Sequence, residues 1–196
     1  MLEILEENNI SYILISGKYD EESYKTEEKE FKPDLDIIIN IENFSKIRKL
    51  FNKERFNILD ENSIFDKYLK LRIDMYFKSV NVGYYHFLFP DKHSYKLKHL
   101  SEEDYIIYQL LDPLLKFSKY HNRHKFRLNK YFKNEIPKEV SLRLSKIIGK
   151  FLTKILLNKI YNSEFVIEKQ IIRLIKIRIL FINGNFVKMF NTRFFQ

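Results

Sequence analysis

Two aspartates that alternate with apolar residues at the start of an isoleucine run constrain this chain more than any other feature. Residues 34 to 39 read Asp-Leu-Asp-Ile-Ile-Ile, directly after Pro33. The run predicts a buried β-strand, and side chains on a strand alternate between its two faces, so Asp34 and Asp36 share a face. Aspartate is a poor strand former, which indicates a site that uses carboxylates. Turn chemistry beside Pro33 is the alternative.

A third aspartate stands on a later predicted strand. Residues 71 to 77 read Leu-Arg-Ile-Asp-Met-Tyr-Phe, which places Arg72 and Asp74 on one face and apolar residues on the other. Three carboxylates on neighbouring strands make an oxygen-rich set that suits Mg²⁺ or Mn²⁺. A metal held in this way neutralises the charge that develops as a phosphoryl or nucleotidyl group moves. An ion pair with Arg72 is the alternative role for Asp74.

Short helices and short strands surround these acids. We predict helices over 2–7 and 43–53 from their apolar spacing. We predict strands over 11–15, 34–39, 56–59, 64–69 and 71–77. The stretch 18–32 is almost wholly charged or polar and is predicted to face solvent. The resulting fold class is α+β, with a small mixed β-sheet flanked by helices and followed by a helical C-terminal region.

This order of elements and acids resembles the nucleotidyltransferase superfamily. The residues that carry the resemblance are Gly17 after the first strand, Asp34-Leu35-Asp36 before the isoleucine run, and Asp74 on the later strand. Within the superfamily the chain is most similar to bacterial members associated with surface polysaccharide genes and to the fukutin and choline-phosphate transfer branch. The resemblance covers residues 2–112. It implies a catalytic domain over 1–100 and a helical region over 101–196.

The resemblance also implies a function. Asp34, Asp36 and Asp74 would be catalytic residues and ligands of Mg²⁺ or Mn²⁺, and Asp74 would help to deprotonate an acceptor hydroxyl. Gly17 and Lys18 would contact the phosphates of a nucleoside triphosphate or a nucleotide-linked donor. The acceptor would be a small molecule or a glycan, and the pathway would be surface polysaccharide biosynthesis.

Two other functions stay open. The family places Ser or Gly after its glycine, whereas this chain has Lys18 after Gly17. That departure favours a catalytically inactive binding protein with the same fold. A minimal nucleotidyltransferase of the toxin type, which modifies RNA or a partner protein, is the second alternative, and a basic C-terminal region is compatible with it.

The charge of the chain is concentrated at its C-terminal end. Residues 138–196 hold 12 of the 35 Lys and Arg but only 3 of the 26 Asp and Glu, so the whole net charge of +9 arises there. One interpretation is a solvated face on packed helices. A second is peripheral attachment to an anionic membrane through apolar residues that alternate with cations; these are Ile171, Ile172, Leu174, Ile175, Ile179, Leu180 and Phe181, followed by Phe186, Phe190, Phe194 and Phe195.

The third interpretation of the basic region is nucleic-acid binding, but no helix-turn-helix, zinc-finger or RNA-recognition motif supports it.

The chain contains no cysteine, which fits a reducing compartment. Its first residues are acidic where a signal peptide has a basic start. We therefore expect a cytoplasmic protein, placed at the inner face of the membrane if the second interpretation holds.

The second half of the chain is predicted to be helical. Ser101 with the following acids predicts a helix start, and Asp112-Pro113 predicts that a new helix begins there. Two longer helices are predicted over 139–161 and 164–183. His121 and His124 are three residues apart on a basic stretch, yet no nearby acid or cysteine completes a zinc site. We interpret the basic stretch around His121 and His124 either as a contact for a nucleotide or as a solvated basic face.

Overall fold

The computed structural model describes residues 2–15, 34–51, 54–60, 62–77, 80–82, 86–88, 98–132 and 135–182. The chain forms two compact units. The first comprises Met1–Val80 and Phe89–Tyr105, and the second comprises Asn81–Leu88 and Ile106–Gln196. The first unit contains a five-stranded mixed sheet, and the C-terminal region is helical. The predicted α+β class is confirmed at this level.

The sheet of the first unit has the strand order β1-β2-β5-β4-β3. Its strands are β1 (Tyr12–Leu14), β2 (Asp34–Ile39), β3 (Phe56–Ile58), β4 (Ser63–Asp66) and β5 (Leu71–Phe77). The central pair β2 and β5 is parallel, while the β1–β2, β3–β4 and β4–β5 pairs are antiparallel. The same unit contains helix α1 (Leu2–Glu7), a short 3₁₀ helix (Ile41–Asn43) and helix α2 (Phe44–Leu50).

One face of this sheet is the core face of the first unit. All five strands contribute residues to it, and α1 and α2 add apolar side chains to the same cluster. The aromatic rings of Phe51 and Phe56 lie within it, with centroids 4.6 Å apart. The cluster consists of Leu5, Ile10, Tyr12, Ile37, Ile39, Ile47, Phe51, Phe56, Ile64, Ile73 and Met75. The opposite face of β2 and β5 carries Asp36, Arg72 and Asp74 and also the buried Ile38.

Strand β4 is shorter than predicted and begins one residue earlier. It ends at Asp66 rather than at Leu69, because residues 67–70 form a turn. The Asp66 Oδ1 atom accepts hydrogen bonds from the backbone N–H groups of Tyr68 (3.0 Å) and Leu69 (3.1 Å). A side-chain carboxylate thus takes up donors that would otherwise continue the strand.

The second unit contains most of the helices. Helices α3 to α7 are Glu102–Phe117, Asn122–Tyr131, Lys138–Ile148, Lys150–Tyr161 and Lys169–Ile182. Two further strands, β6 (Val80–Val82) and β7 (His86–Leu88), form a separate two-stranded sheet. Helix α5 packs against α6 and α7. Within the described residues, no helix is both long enough and apolar enough to cross a membrane.

The prediction of a helix start at Pro113 is wrong. Helix α3 continues through Pro113 to Phe117. Proline removes one helical hydrogen bond and crowds the preceding turn, but burial of apolar side chains outweighs that cost here. The side chains of Leu110, Leu111 and Leu114 are fully buried around it. Tertiary packing therefore keeps one helix where the local sequence signals two.

The single helix predicted over 139–161 is also wrong. Gly149 separates α5 from α6, with φ 87° and ψ 152°. An L-amino acid side chain strongly disfavours this backbone conformation, whereas glycine adopts it readily. The apolar spacing of α5 continues into α6 in sequence, so the periodicity alone did not reveal the break.

Gly149→Ala is expected to lower the free energy of unfolding by about 1–3 kcal/mol, the usual cost of a strained backbone conformation. An added Cβ would lie 3.9 Å from Nε of Arg178, an ordinary contact, so the cost is conformational rather than steric. Urea unfolding measures the change. Lys150→Ala, at an exposed helix position, is the control, and we expect it to change the free energy of unfolding by no more than about 0.5 kcal/mol. Equal stabilities of the two variants would contradict this account of the break.

Candidate metal centre

The register of the two parallel strands brings two of the predicted site residues together. Asp36 of β2 is paired with Asp74 of β5, and Asp34 is paired with Arg72. Paired residues on neighbouring strands point to the same face of the sheet, so the Asp36 and Asp74 side chains are neighbours opposite the core face. On the other side of β5, Ser63 of β4 is paired with Asp74.

Strand β2 holds Asp36 in a well-anchored part of the sheet. The backbone oxygen of Asp36 accepts a hydrogen bond from the Ile15 N–H group (2.9 Å) at the end of β1. Ile37, Ile38 and Ile39 follow it and are all buried, while the Asp36 side chain is only partly buried. Asp36 thus stands on a rigid strand at a place that solvent reaches.

Asp74 belongs to a small polar network across β4 and β5. Its Oδ1 atom accepts hydrogen bonds from Nε of Arg72 (2.9 Å) and from Oγ of Ser63 (2.5 Å). Arg72 also donates to Oγ of Ser63 (3.2 Å), which links the three side chains. The Asp74 side chain is 21% exposed and the Arg72 side chain is 47% exposed. The ion pair that was the alternative role for Asp74 is therefore present.

The arrangement fixes the Asp74 carboxylate without using all of its acceptor sites. In the described part of the chain, both hydrogen bonds to this carboxylate fall on Oδ1. When a carboxylate binds a metal through one oxygen, hydrogen bonds to the second oxygen commonly orient it. Asp36 and Asp74 supply the hard oxygen ligands that Mg²⁺ and Mn²⁺ prefer. The network is thus compatible with a cation shared between the two aspartates.

The rest of the predicted site lies outside the described residues. Gly17 and Lys18 fall there, and so does the side chain of Asp34, although its backbone belongs to β2. Among the side chains that the structure describes, no three of His, Cys, Asp and Glu stand together in a metal-binding arrangement. The structure therefore describes two members of the predicted three-carboxylate set.

Ser63 was missed by sequence reasoning. The strand was predicted to start at Ile64, one residue after Ser63. No alternation of polar and apolar residues marks Ser63, because each face of the strand 63–66 holds one polar and one apolar residue. Only the pairing of Ser63 with Asp74 shows that its hydroxyl faces a carboxylate.

Two neighbouring histidines, His121 and His124, lie on or next to helix α4. His124 on α4 is buried, and its ring centroid lies 5.8 Å from that of His121. Burial lowers the pKa of His124 to about 3, and the positive charges of Arg123 and Arg127 contribute to the same shift. Burial and the neighbouring Lys119 also lower the pKa of His121. His124 is therefore neutral at physiological pH, as expected for an imidazole that packs among cations.

Three comparisons of the chain with known proteins found no relative. No protein-family model, no curated protein and no solved structure matches the chain.

Proposed function

We propose that the chain is a metal-dependent nucleotidyl- or phosphoryl-transferase that acts on a hydroxyl acceptor. The observation that carries the proposal is the register of β2 and β5, which sets Asp36 beside Asp74 on the face of the sheet opposite the core. Asp34 belongs to the same strand as Asp36, two residues before it, and the proposal includes it in the same site. Carboxylates grouped on a rigid scaffold are the ligand type that phosphate-transferring metal sites use.

Each carboxylate has a distinct role in this proposal. Asp34 and Asp36 would bind Mg²⁺ or Mn²⁺ together with the phosphates of the donor. When bound, the metal supplies charge neutralisation at the phosphoryl oxygens. Asp74 would complete the site and accept the proton of the acceptor hydroxyl, whose oxygen then forms the new bond to phosphorus. The bond that breaks joins this phosphorus to the leaving group, which is pyrophosphate in a nucleotidyl transfer from a nucleoside triphosphate and a nucleotide in a phosphoryl transfer.

The Arg72–Ser63 pair positions the Asp74 carboxylate. Its two donors bind Oδ1. In this proposal Oδ2 is the atom that accepts the proton of the acceptor hydroxyl. Positioning of this kind accounts for much of the catalysis in phosphoryl transfer, where the protein contributes little covalent chemistry. Loss of Arg72 would therefore lower the rate by misplacing Asp74, although Arg72 itself need not touch the substrate.

The resemblance to the nucleotidyltransferase superfamily supports the donor and acceptor classes. The donor is proposed to be a nucleoside triphosphate or a nucleotide-linked compound, with Gly17 and Lys18 near its phosphates. The acceptor is proposed to be a small molecule or a glycan precursor of a surface polysaccharide, in the cytoplasm. An RNA or a partner protein is the acceptor in the toxin-type alternative.

A thermal-shift screen tests the proposal with purified protein. ATP, CTP, GTP, UTP and CDP-linked donors are each added with and without Mg²⁺. A ligand at about 100 times its Kd stabilises the fold by about 2.7 kcal/mol. For a chain of this size that free energy raises Tm by roughly 5–10 °C. We expect one donor to produce such a rise only when Mg²⁺ is present; the absence of a rise with every donor would contradict the proposal.

A binding protein without turnover is the second candidate. The observation that favours it is the network of Arg72, Ser63 and Asp74, which satisfies this carboxylate within the protein. Under this candidate Asp74→Asn leaves the metal-dependent thermal shift unchanged. Under the transferase proposal the same variant abolishes transfer. The exposed Arg72–Asp74 pair contributes less than about 1 kcal/mol to stability, so the variant should fold in both cases.

A further inference from the structure

An apolar patch lies on the surface of the second unit, where α6 begins and α7 ends. The patch consists of Phe151, Leu174 and Phe181, whose side chains are 73%, 50% and 52% exposed. Together with Ile148, Leu152 and Ile177 they line a groove of about 480 Å³. Clusters of exposed apolar side chains of this kind mark interaction surfaces rather than ordinary solvent-facing structure.

Helix α7 has two apolar faces, one buried in the core and one exposed in the patch. Ile172, Ile175 and Ile179 are buried at helical spacing. Leu174, Ile177 and Phe181 recur three and four residues apart, which forms a second apolar stripe on the same helix. Four of the residues assigned to a lipid surface from sequence, including Leu180, are therefore core residues, whereas Leu174 and Phe181 of the same set lie on the exposed stripe.

The charges around the patch are of one sign. Lys150 and Arg178 line the groove, and among the described residues that line it there is no Asp or Glu. Helices α6 and α7 together carry seven Lys and Arg and no acid. Glu164 and Glu168 follow the far end of α6 and lie 3.6 Å and 2.9 Å from Nζ of Lys159. These acids lie beyond the far end of α6, roughly 15 Å along its axis from Phe151, whereas Leu174 lies six residues after Glu168; neither acid lines the groove.

We propose that this patch docks the protein on the surface of an anionic lipid bilayer. Phe151, Leu174 and Phe181 would enter the boundary between head groups and acyl chains, and Lys150 and Arg178 would contact the anionic head groups. A second copy of the chain fits less well, since it would bring the same cations face to face. A nucleic acid would satisfy the cations but leave the aliphatic side chains of the patch in water. The proposal does not depend on the transferase proposal.

Vesicle flotation with the full chain tests the docking surface. Wild-type protein is expected to float with vesicles of equal phosphatidylcholine and phosphatidylglycerol, and to stay in solution with phosphatidylcholine alone. Lys150→Glu with Arg178→Glu is expected to weaken binding at least about 30-fold, because each cation near an anionic surface contributes roughly fivefold. Phe151→Ser with Phe181→Ser is expected to weaken it at least about tenfold through lost apolar burial.

Two matched variants serve as controls. Phe126→Ser removes a ring that is 51% exposed on α4, and it is expected to bind vesicles as the wild type does. Phe190→Ser with Phe194→Ser tests the C-terminal segment, which lies outside the described residues, and it is also expected to retain binding. All variants change exposed or terminal positions, and circular dichroism checks that each one is folded.

Three results would overturn the docking proposal. The first is equal binding of wild type to neutral and anionic vesicles, or binding to neither. The second is unchanged binding of the Phe151 and Phe181 variant while the Phe190 and Phe194 variant loses it. The third is a wild-type dimer in light scattering that the Phe151 and Phe181 variant converts to a monomer, which would assign the patch to a second copy of the chain.

Discussion

Asp36→Asn is expected to lower the rate of metal-dependent transfer by on the order of 10³-fold or more. The substitution keeps the size of the side chain but removes the negative charge that a divalent cation requires. Because β2 stays paired with β1 and β5 through its backbone, the fold is expected to remain intact. The measurement is a transfer assay with the donor that the thermal-shift screen selects.

Glu7→Gln is the matched control for this substitution. Glu7 is an exposed carboxylate on α1, which packs on the core face of the sheet, whereas Asp36 lies on the opposite face. The control removes one negative charge from the same unit, and we expect it to keep wild-type activity. Equal activity of the Asp36 and Glu7 variants would exclude Asp36 from the reaction.

Asp66→Ala is expected to lower the free energy of unfolding by about 3–5 kcal/mol, the usual cost of breaking a buried charge pair. The Asp66 side chain is 0% exposed, and Oδ2 accepts hydrogen bonds from Nε (3.0 Å) and a terminal nitrogen (2.7 Å) of Arg55. Its other oxygen binds the turn that ends β4, through the N–H groups of Tyr68 and Leu69. Urea unfolding measures the loss.

Arg72→Ala is the comparison for this variant. It removes a partner from the exposed Arg72–Asp74 pair, so we expect a loss of less than about 1 kcal/mol. Similar losses for the two variants would contradict the claim that burial makes the Asp66 network the more important one for stability.

Acid is expected to lower the free energy of unfolding by protonating Asp66, the carboxylate that binds Arg55 and the turn after β4. Burial raises the pKa of the Asp66 carboxyl, but the hydrogen bonds from Arg55 and from the Leu69 backbone outweigh burial and leave the pKa below its usual value. A carboxyl whose pKa is lower in the folded state stabilises the protein above its unfolded pKa of about 3.9. That contribution is lost as the pH falls through the folded pKa. Asp66→Ala should therefore flatten the acid side of the stability profile.

The central strands were the most predictable part of the fold. Strands β2 and β5 have the bounds that were predicted, 34–39 and 71–77, because an isoleucine run and a clean alternation around Ile73 are strong local signals. The breaks were harder to predict. Pro113 lies inside a helix because of buried contacts that no local pattern contains, and Gly149 ends a helix although the apolar period continues past it.

For the candidate site, the shared face of Arg72 and Asp74 was predictable from sequence, but the pairing between strands was not. The alternation of the strand placed Arg72 and Asp74 on one face, and their ion pair confirms this. The register that pairs Asp36 with Asp74 depends on long-range strand pairing, which sequence spacing does not encode. Ser63 enters the network through that same pairing. The roles of Asp34, Gly17 and Lys18 stay predictions.

The most direct test of the proposed metal centre is binding of Mn²⁺ followed by electron paramagnetic resonance, with and without each nucleoside triphosphate. The wild type is expected to bind Mn²⁺ more tightly in the presence of one nucleotide. Asp36→Asn and Asp74→Asn should each lose this site, while Glu7→Gln should retain it. If all four proteins bind Mn²⁺ equally, or if none binds it, the two paired aspartates do not form a metal centre.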